Sequence, residues 1–96
     1  ELIPQFVAIT AVEEKCHWYD FTISDDCVYC REAYDGAEGL LTHVGNVSAL
    51  IDEALKISDL MRVEVHGPAN ELEKLKVPLA DLNPDYFEFY AGIGRP

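Results

Sequence analysis

His43 is the residue of this chain whose type and setting best suit chemistry. It lies in the run Glu38-Gly-Leu-Leu-Thr-His43-Val-Gly-Asn46-Val47. Leu40, His43, Val44, Val47, Leu50, Ile51 and Ala54 recur at helical spacing, so the imidazole is carried on the apolar face of a helix. A histidine in such a place can take a proton from a bound hydroxyl group near neutral pH. The same placement also fits a core histidine bonded to a neighbour. Asn46, one turn on, is placed to orient a bound oxygen atom or to stand in solvent, and Val47 would line the apolar wall beside His43. Glu32 and Tyr34 share one face of the segment Cys27–Tyr34. If that face looks toward His43, Glu32 pairs with the ring and favours its protonated form. If it looks outward, Glu32 is an ordinary surface or interface carboxylate. Trp18, Tyr19 and Phe21 offer aromatic surface, either for a flat ligand or for a core.

The other reactive types carry less. Cys27-Val-Tyr-Cys30 resembles a redox or zinc pair in spacing, but residues three apart on a strand point to opposite faces. Cys16 alone is left to complete a thiolate set, and zinc asks for four placed ligands. The cysteines therefore read as core thiols, and no metal and no cofactor is expected. His66 ends an apolar segment before Gly67-Pro68, at a rim or a surface. Phosphate-loop, dinucleotide-loop, nucleophile-elbow and zincin motifs are missing from the sequence.

The elements that must position these residues can be ordered along the chain. Residues 4–15 place Phe6, Ile9, Val12 and Cys16 at helical spacing, with Pro4 in a first turn. The β-branched run Phe-Val-Ala-Ile-Thr-Ala-Val also fits a strand. His17–Ser24 alternates Tyr19, Phe21 and Ile23 against Trp18, Asp20 and Thr22, as a half-buried strand does. Asp25-Asp26 makes a turn into the strand Cys27–Tyr34. Asp35 with Glu38 fits a capping box for the long helix to about Lys56, and Gly45 weakens its middle. A third strand is expected over Leu60–His66, a short helix over Asn70–Lys76 and a last strand over Asp85–Tyr90, followed by a loose tail through Gly92, Gly94 and Pro96. Helices segregated to one face of an antiparallel sheet give an α+β class, and a ferredoxin-like core follows if a strand precedes the first helix. The 96 residues make one domain.

Composition limits the partners. The formal net charge is −11, from 18 acidic and 7 basic residues. Such a chain is unsuited to nucleic acid, where Lys and Arg must displace phosphate counterions, and to anionic membrane surfaces. No apolar run reaches the roughly 18 residues of a membrane span, and no basic-then-apolar leader is seen, so a cytoplasmic location is expected. Hydrophobic residues make up 49% of a chain with only three cysteines. A domain this small buries a modest share of its surface, which points to a second subunit as cover, in a homodimer.

Three local patterns together resemble the antibiotic biosynthesis monooxygenase-like proteins of the dimeric α+β barrel superfamily. Thr10-Ala-Val-Glu-Glu-Lys-Cys-His-Trp-Tyr19 is similar to that family's helix end, acidic turn and aromatic strand. Arg31-Glu-Ala-Tyr34 is similar to its strand carrying Glu, a spacer and an aromatic. His43 falls where its second long helix often bears a histidine. The likeness covers residues 4–67. It implies a ferredoxin-like subunit, two of which pack sheet against sheet, each enclosing an apolar pocket. It implies cofactor-independent monooxygenation of quinol or polyketide-like substrates, with His43 as base and Glu32 beside it, and with Trp18, Tyr19, Tyr34, Asn46 and Val47 around the ligand. Many such proteins have no known activity. A non-enzymatic binder of a fatty-acid-like or other lipid-like metabolite, and a purely structural dimer, therefore stand as alternatives. The family's first strand has no counterpart before Pro4. Either the chain starts after it, or Asp85–Tyr90 fills its place.

Overall fold

The computed structural model describes residues 2–93. They fall into two units, one ending at Asp59 and the other beginning at Leu60. Helices, an antiparallel strand pair and a parallel strand pair make an α+β protein.

The first unit runs α1 (Leu2–Thr10), β1 (Cys16–Ser24), β2 (Cys27–Tyr34) and α2 (Gly36–Ile57). The helical reading of the first segment holds, though α1 ends at Thr10 and residues 11–15 turn. Pro4 is tolerated because the first turn has no backbone acceptor to lose. Phe6 and Thr10, one turn apart, are its buried positions. β1 and β2 form an antiparallel hairpin across Asp25-Asp26, with Ser24 opposite Cys27. Asp25 sits at φ 54°, a left-handed conformation that Asp accepts more readily than most residues. Among the described residues no strand precedes α1.

Residue pairing decides which side chains meet. Tyr19 faces Glu32 and Phe21 faces Cys30, so these four share one face of the hairpin. α1 and α2 pack against each other and against the hairpin. Phe6 meets Phe21 with ring centroids 5.9 Å apart. The register slips between Cys16 and Trp18, leaving His17 as an extra residue. That bulge aligns Cys16 with Tyr34 on the helix-covered face, while Trp18 pairs with Ala33 on the other.

α2 enters abruptly. Gly36 takes φ 77°, and Asp35 makes no side-chain cap. The capping box expected of Asp35 and Glu38 is thus not formed. The Asp35 backbone N–H donates instead to the Lys15 carbonyl at 2.8 Å, and Lys15 Nζ pairs with Glu38. Gly39 is where α2 touches the strand ends. A Cβ there would lie 3.0 Å from Lys15 Cβ and 3.3 Å from Tyr34 Cβ. Gly45, by contrast, faces open space, and neither a close approach nor a packing contact explains it. The buried residues of α2 are Ala37, Gly39, His43 and Val47.

The second unit corrects the expected antiparallel sheet. β3 (Glu64–Gly67) and β4 (Asp85–Glu88) pair in parallel, with Glu64 opposite Asp85 and Gly67 opposite Glu88. The chain between them passes through α3 (Ala69–Glu73) and a 3₁₀ turn (Ala80–Leu82). Parallel strands require a crossover of this kind. Leu72, Leu75 and Leu79 are buried beneath it. The third strand is shorter than Leu60–His66, and the last is shorter than Asp85–Tyr90, because pairing ends where the partner does. Met61, beyond the ladder, is 85% exposed. Asn83 stops the 3₁₀ turn at φ 49° ahead of Pro84. The expected tail through Gly94 and Pro96 lies outside the described residues.

Candidate active site

α2 carries His43 inward to 3% exposure, over the hairpin face formed by Tyr19, Glu32 and Tyr34. The Tyr19 and Tyr34 rings lie 5.0 Å and 5.3 Å from the imidazole centroid, both tilted. Polar groups meet the ring at both nitrogens. Nδ1 lies 3.0 Å and 3.1 Å from the two oxygens of Glu13. Thr10 Oγ1 is 3.5 Å from the same nitrogen and donates its proton to the Phe6 carbonyl at 2.7 Å. Nε2 faces Glu32 Oε1 at 3.7 Å. Among the described residues no hydrogen bond reaches Nε2.

Each carboxylate is itself held. Glu13 has a side chain only 6% exposed, and Asn46 Nδ2 donates to its Oε2 at 3.1 Å. The turn after α1 places it: the Glu13 backbone N–H donates to the Thr10 carbonyl, and Cys16 N–H donates back to Glu13 O. Glu32 is more open, with 29% of its side chain exposed. The Tyr34 hydroxyl donates to Glu32 Oε1, and the Cys30 thiol donates to Oε2 at 3.2 Å. The site is therefore closed on the Glu13 side and reachable on the Glu32 side.

The neighbouring acids hold their protons. Burial pushes the Tyr34 phenol well above its ordinary range, and the hydrogen bond to Glu32 and that carboxylate's charge push it further. Burial likewise raises the Tyr19 phenol, followed by the nearby Cys30 and Glu32. The Cys30 thiol is raised by burial first and by the Glu32 charge second. Two neutral phenols and a neutral thiol thus surround one imidazole and two carboxylates.

Of the residues singled out from sequence, His43, Glu32, Tyr19, Tyr34 and Asn46 come together. Asn46 reaches Glu13 across the helix-to-turn gap. Val47 is 1% exposed, packed in the core one turn below His43. Trp18 lies on the opposite hairpin face, 58% exposed, and its indole N–H donates to Asp20 Oδ2 at 3.0 Å. Asp20 in turn receives Arg31 through two bonds of 3.1 Å and 2.7 Å. His66 belongs to the second unit, stacked on Phe87 at 4.6 Å. Cys27 and Cys30 are free and exposed rather than core thiols, with different partners, Asp26 and Glu32. Among the described residues no group of three or more His, Cys, Asp or Glu side chains is arranged to hold a metal ion. No helix among them is long and apolar enough to cross a membrane.

Glu13 and Thr10 were not legible as site residues. Glu13 stands beside Glu14 in an acidic turn, and nothing in the spacing tells which one turns inward. The available hint was Thr10 at the end of an apolar helix stripe, a polar residue in a buried register.

No protein-family model and no curated protein matches the chain. A solved structure does: the crystal structure of MupZ from Pseudomonas fluorescens superposes with a TM-score of 0.91. The two are 40% identical over 97% of this chain and 73% of MupZ. At that identity and coverage, the chain belongs to the same family as MupZ.

Proposed function

We propose that this protein binds a small, largely apolar or aromatic molecule and removes a proton from its hydroxyl group, with His43 Nε2 as the base. The observation that carries this reading is the buried imidazole held between two carboxylates, with Glu13 against Nδ1 and Glu32 Oε1 3.7 Å from Nε2 on the more exposed side. A ligand O–H that donates to Nε2 enters from the Glu32 side, the more exposed one. The O–H bond breaks, its proton goes to Nε2, and the oxygen keeps the electron pair. The imidazolium so formed is steadied by Glu13 on one side and Glu32 on the other. Glu32 already accepts from Tyr34 and Cys30, which suits it to hold charge rather than to take the proton itself.

A phenolate or enolate made in this way is electron-rich enough to react directly with molecular oxygen, the substrate supplying the electrons: one oxygen atom bonds to carbon and the other leaves as water with two hydrogens of the substrate. That step is the cofactor-independent oxygenation implied by the resemblance to antibiotic biosynthesis monooxygenase-like proteins. The same reading includes a ferredoxin-like arrangement and a homodimer. Ile23 and Val28, paired near the hairpin turn, are 68% and 55% exposed, an apolar surface that a second copy would cover.

The test is oxygen uptake with a panel of hydroquinones, run beside native mass spectrometry for subunit number and bound ligand. Turnover by the parent protein should fall about 10²- to 10⁴-fold in His43→Ala, with the fold retained by circular dichroism. Undiminished affinity and turnover in that variant would remove His43 from the chemistry.

A further inference from the structure

We infer that Asn46 is a positioning residue: by holding Glu13, it keeps His43 in the Nδ1–H tautomer and leaves the Nε2 lone pair free for the substrate. The inference rests on His43 as the base, but it concerns the ground state of the ring and is read without turnover.

Both neighbours of Nδ1 are acceptors. Glu13 offers two carboxylate oxygens at 3.0 Å and 3.1 Å. Thr10 Oγ1, at 3.5 Å, has already given its one proton to the Phe6 carbonyl. A neutral imidazole must place its single N–H where the acceptors are, so Nδ1 carries it. Nε2 is then the lone pair, turned toward the more exposed Glu32 side, where a ligand can enter.

Glu13 is the less stable part of this arrangement. Its side chain is 6% exposed, so few water molecules reach it. One N–H from His43 is shared between its two oxygens. A nearly buried carboxylate left with that one donor is under-satisfied, and it gains by rotating toward solvent. Asn46 supplies the second donor, at 3.1 Å to Oε2. Asn46 lies one helical turn beyond His43, so the helix that presents the base also carries the group that fixes the base's partner. Its own side is solvent-facing, and its replacement leaves the core untouched.

The test is long-range ¹H–¹⁵N correlation of the imidazole nitrogens, at a pH where the ring is neutral. The parent protein should show His43 as the Nδ1–H form by about 10:1 or more, the ratio expected for one charge-assisted hydrogen bond. Asn46→Ala should lower that ratio at least about three-fold, and Asn46→Asp, which sets an acceptor against Glu13, should lower it further. Glu13→Gln keeps an acceptor for Nδ1 but removes its charge, and should lower the ratio. Both Asn46 variants lose a hydrogen bond to a charged group and should melt a few degrees lower, while circular dichroism at the measurement temperature should match the parent, separating positioning from folding. A parent ring already in the Nε2–H form, or an unchanged ratio in both Asn46 variants, would overturn the inference. Loss of the tautomer preference in those variants, with His43→Ala harmless to turnover, would instead leave the inference standing and sink the proposed reaction.

Discussion

At the scale of single residues, Glu32 organises more of the site than its surface strand implies. It faces His43, takes the Tyr34 hydroxyl and takes the Cys30 thiol. One consequence concerns Cys30. Its thiol is raised by burial and by the Glu32 charge, so at pH 8.5 less of it is thiolate than in an ordinary exposed cysteine. Iodoacetamide should therefore alkylate Cys30 more slowly than Cys27, the other exposed thiol of the hairpin. Glu32→Gln removes the charge while burial stays, so alkylation should speed up part of the way. Peptide mass spectrometry after timed quenching reads both. A Cys30 that reacts as fast as Cys27 would show that the thiol does not lie against the carboxylate.

At the scale of elements, two glycines of α2 have opposite roles. Gly39 presses on Lys15 and Tyr34, with a built Cβ 3.2 Å from the Lys15 carbonyl oxygen. A methyl group there must push a strand end away. Gly39→Ala should cost about 1–3 kcal/mol, as overpacking does. It should also disturb Tyr34, the neighbour of His43. Gly45 faces nothing within 4 Å. Gly45→Ala should stabilise by about 0.4–1 kcal/mol, because alanine loses less backbone freedom on entering the helix. Urea unfolding of the two variants checks the signs. A stabilising Gly39→Ala would mean that α2 does not dock where the hairpin ends.

At the scale of the whole molecule, charge sets the expectation. The excess of 18 acidic over 7 basic residues gives a formal −11, and compaction brings like charges together. Local pairs such as Asp20–Arg31 and Lys15–Glu38 are weakened by salt, but they are exposed and contribute little. The unbalanced charge should win. Raising NaCl from about 0.02 M to about 0.5 M, where screening acts within a few ångströms, should lift the melting temperature by about 4 °C or more, equivalent to roughly 1 kcal/mol for a domain of this size. A falling melting temperature would mean that the paired charges outweigh the unpaired ones.

The sequence by itself determined the local elements and the face each presents. Alternation in His17–Ser24 and Cys27–Tyr34, the Asp25-Asp26 turn and the long apolar stripe through His43 all reappear in the structure. These are near-neighbour properties, fixed by backbone sterics and by the periods of helix and strand. They sufficed to put His43 inward and to put Glu32 and Tyr34 on one face. What only the tertiary structure decided is which faces meet. The bulge at His17 set Cys16 beside Tyr34, off the face that alternation assigns it, and a one-residue slip of that kind leaves no mark on hydrophobic periodicity. The parallel pairing of β3 with β4 depended on a crossover whose path a run of leucines does not specify. Glu13 became a partner of His43 because a short turn folded back across α2. Two adjacent glutamates are alike until the chain around them buries one of them.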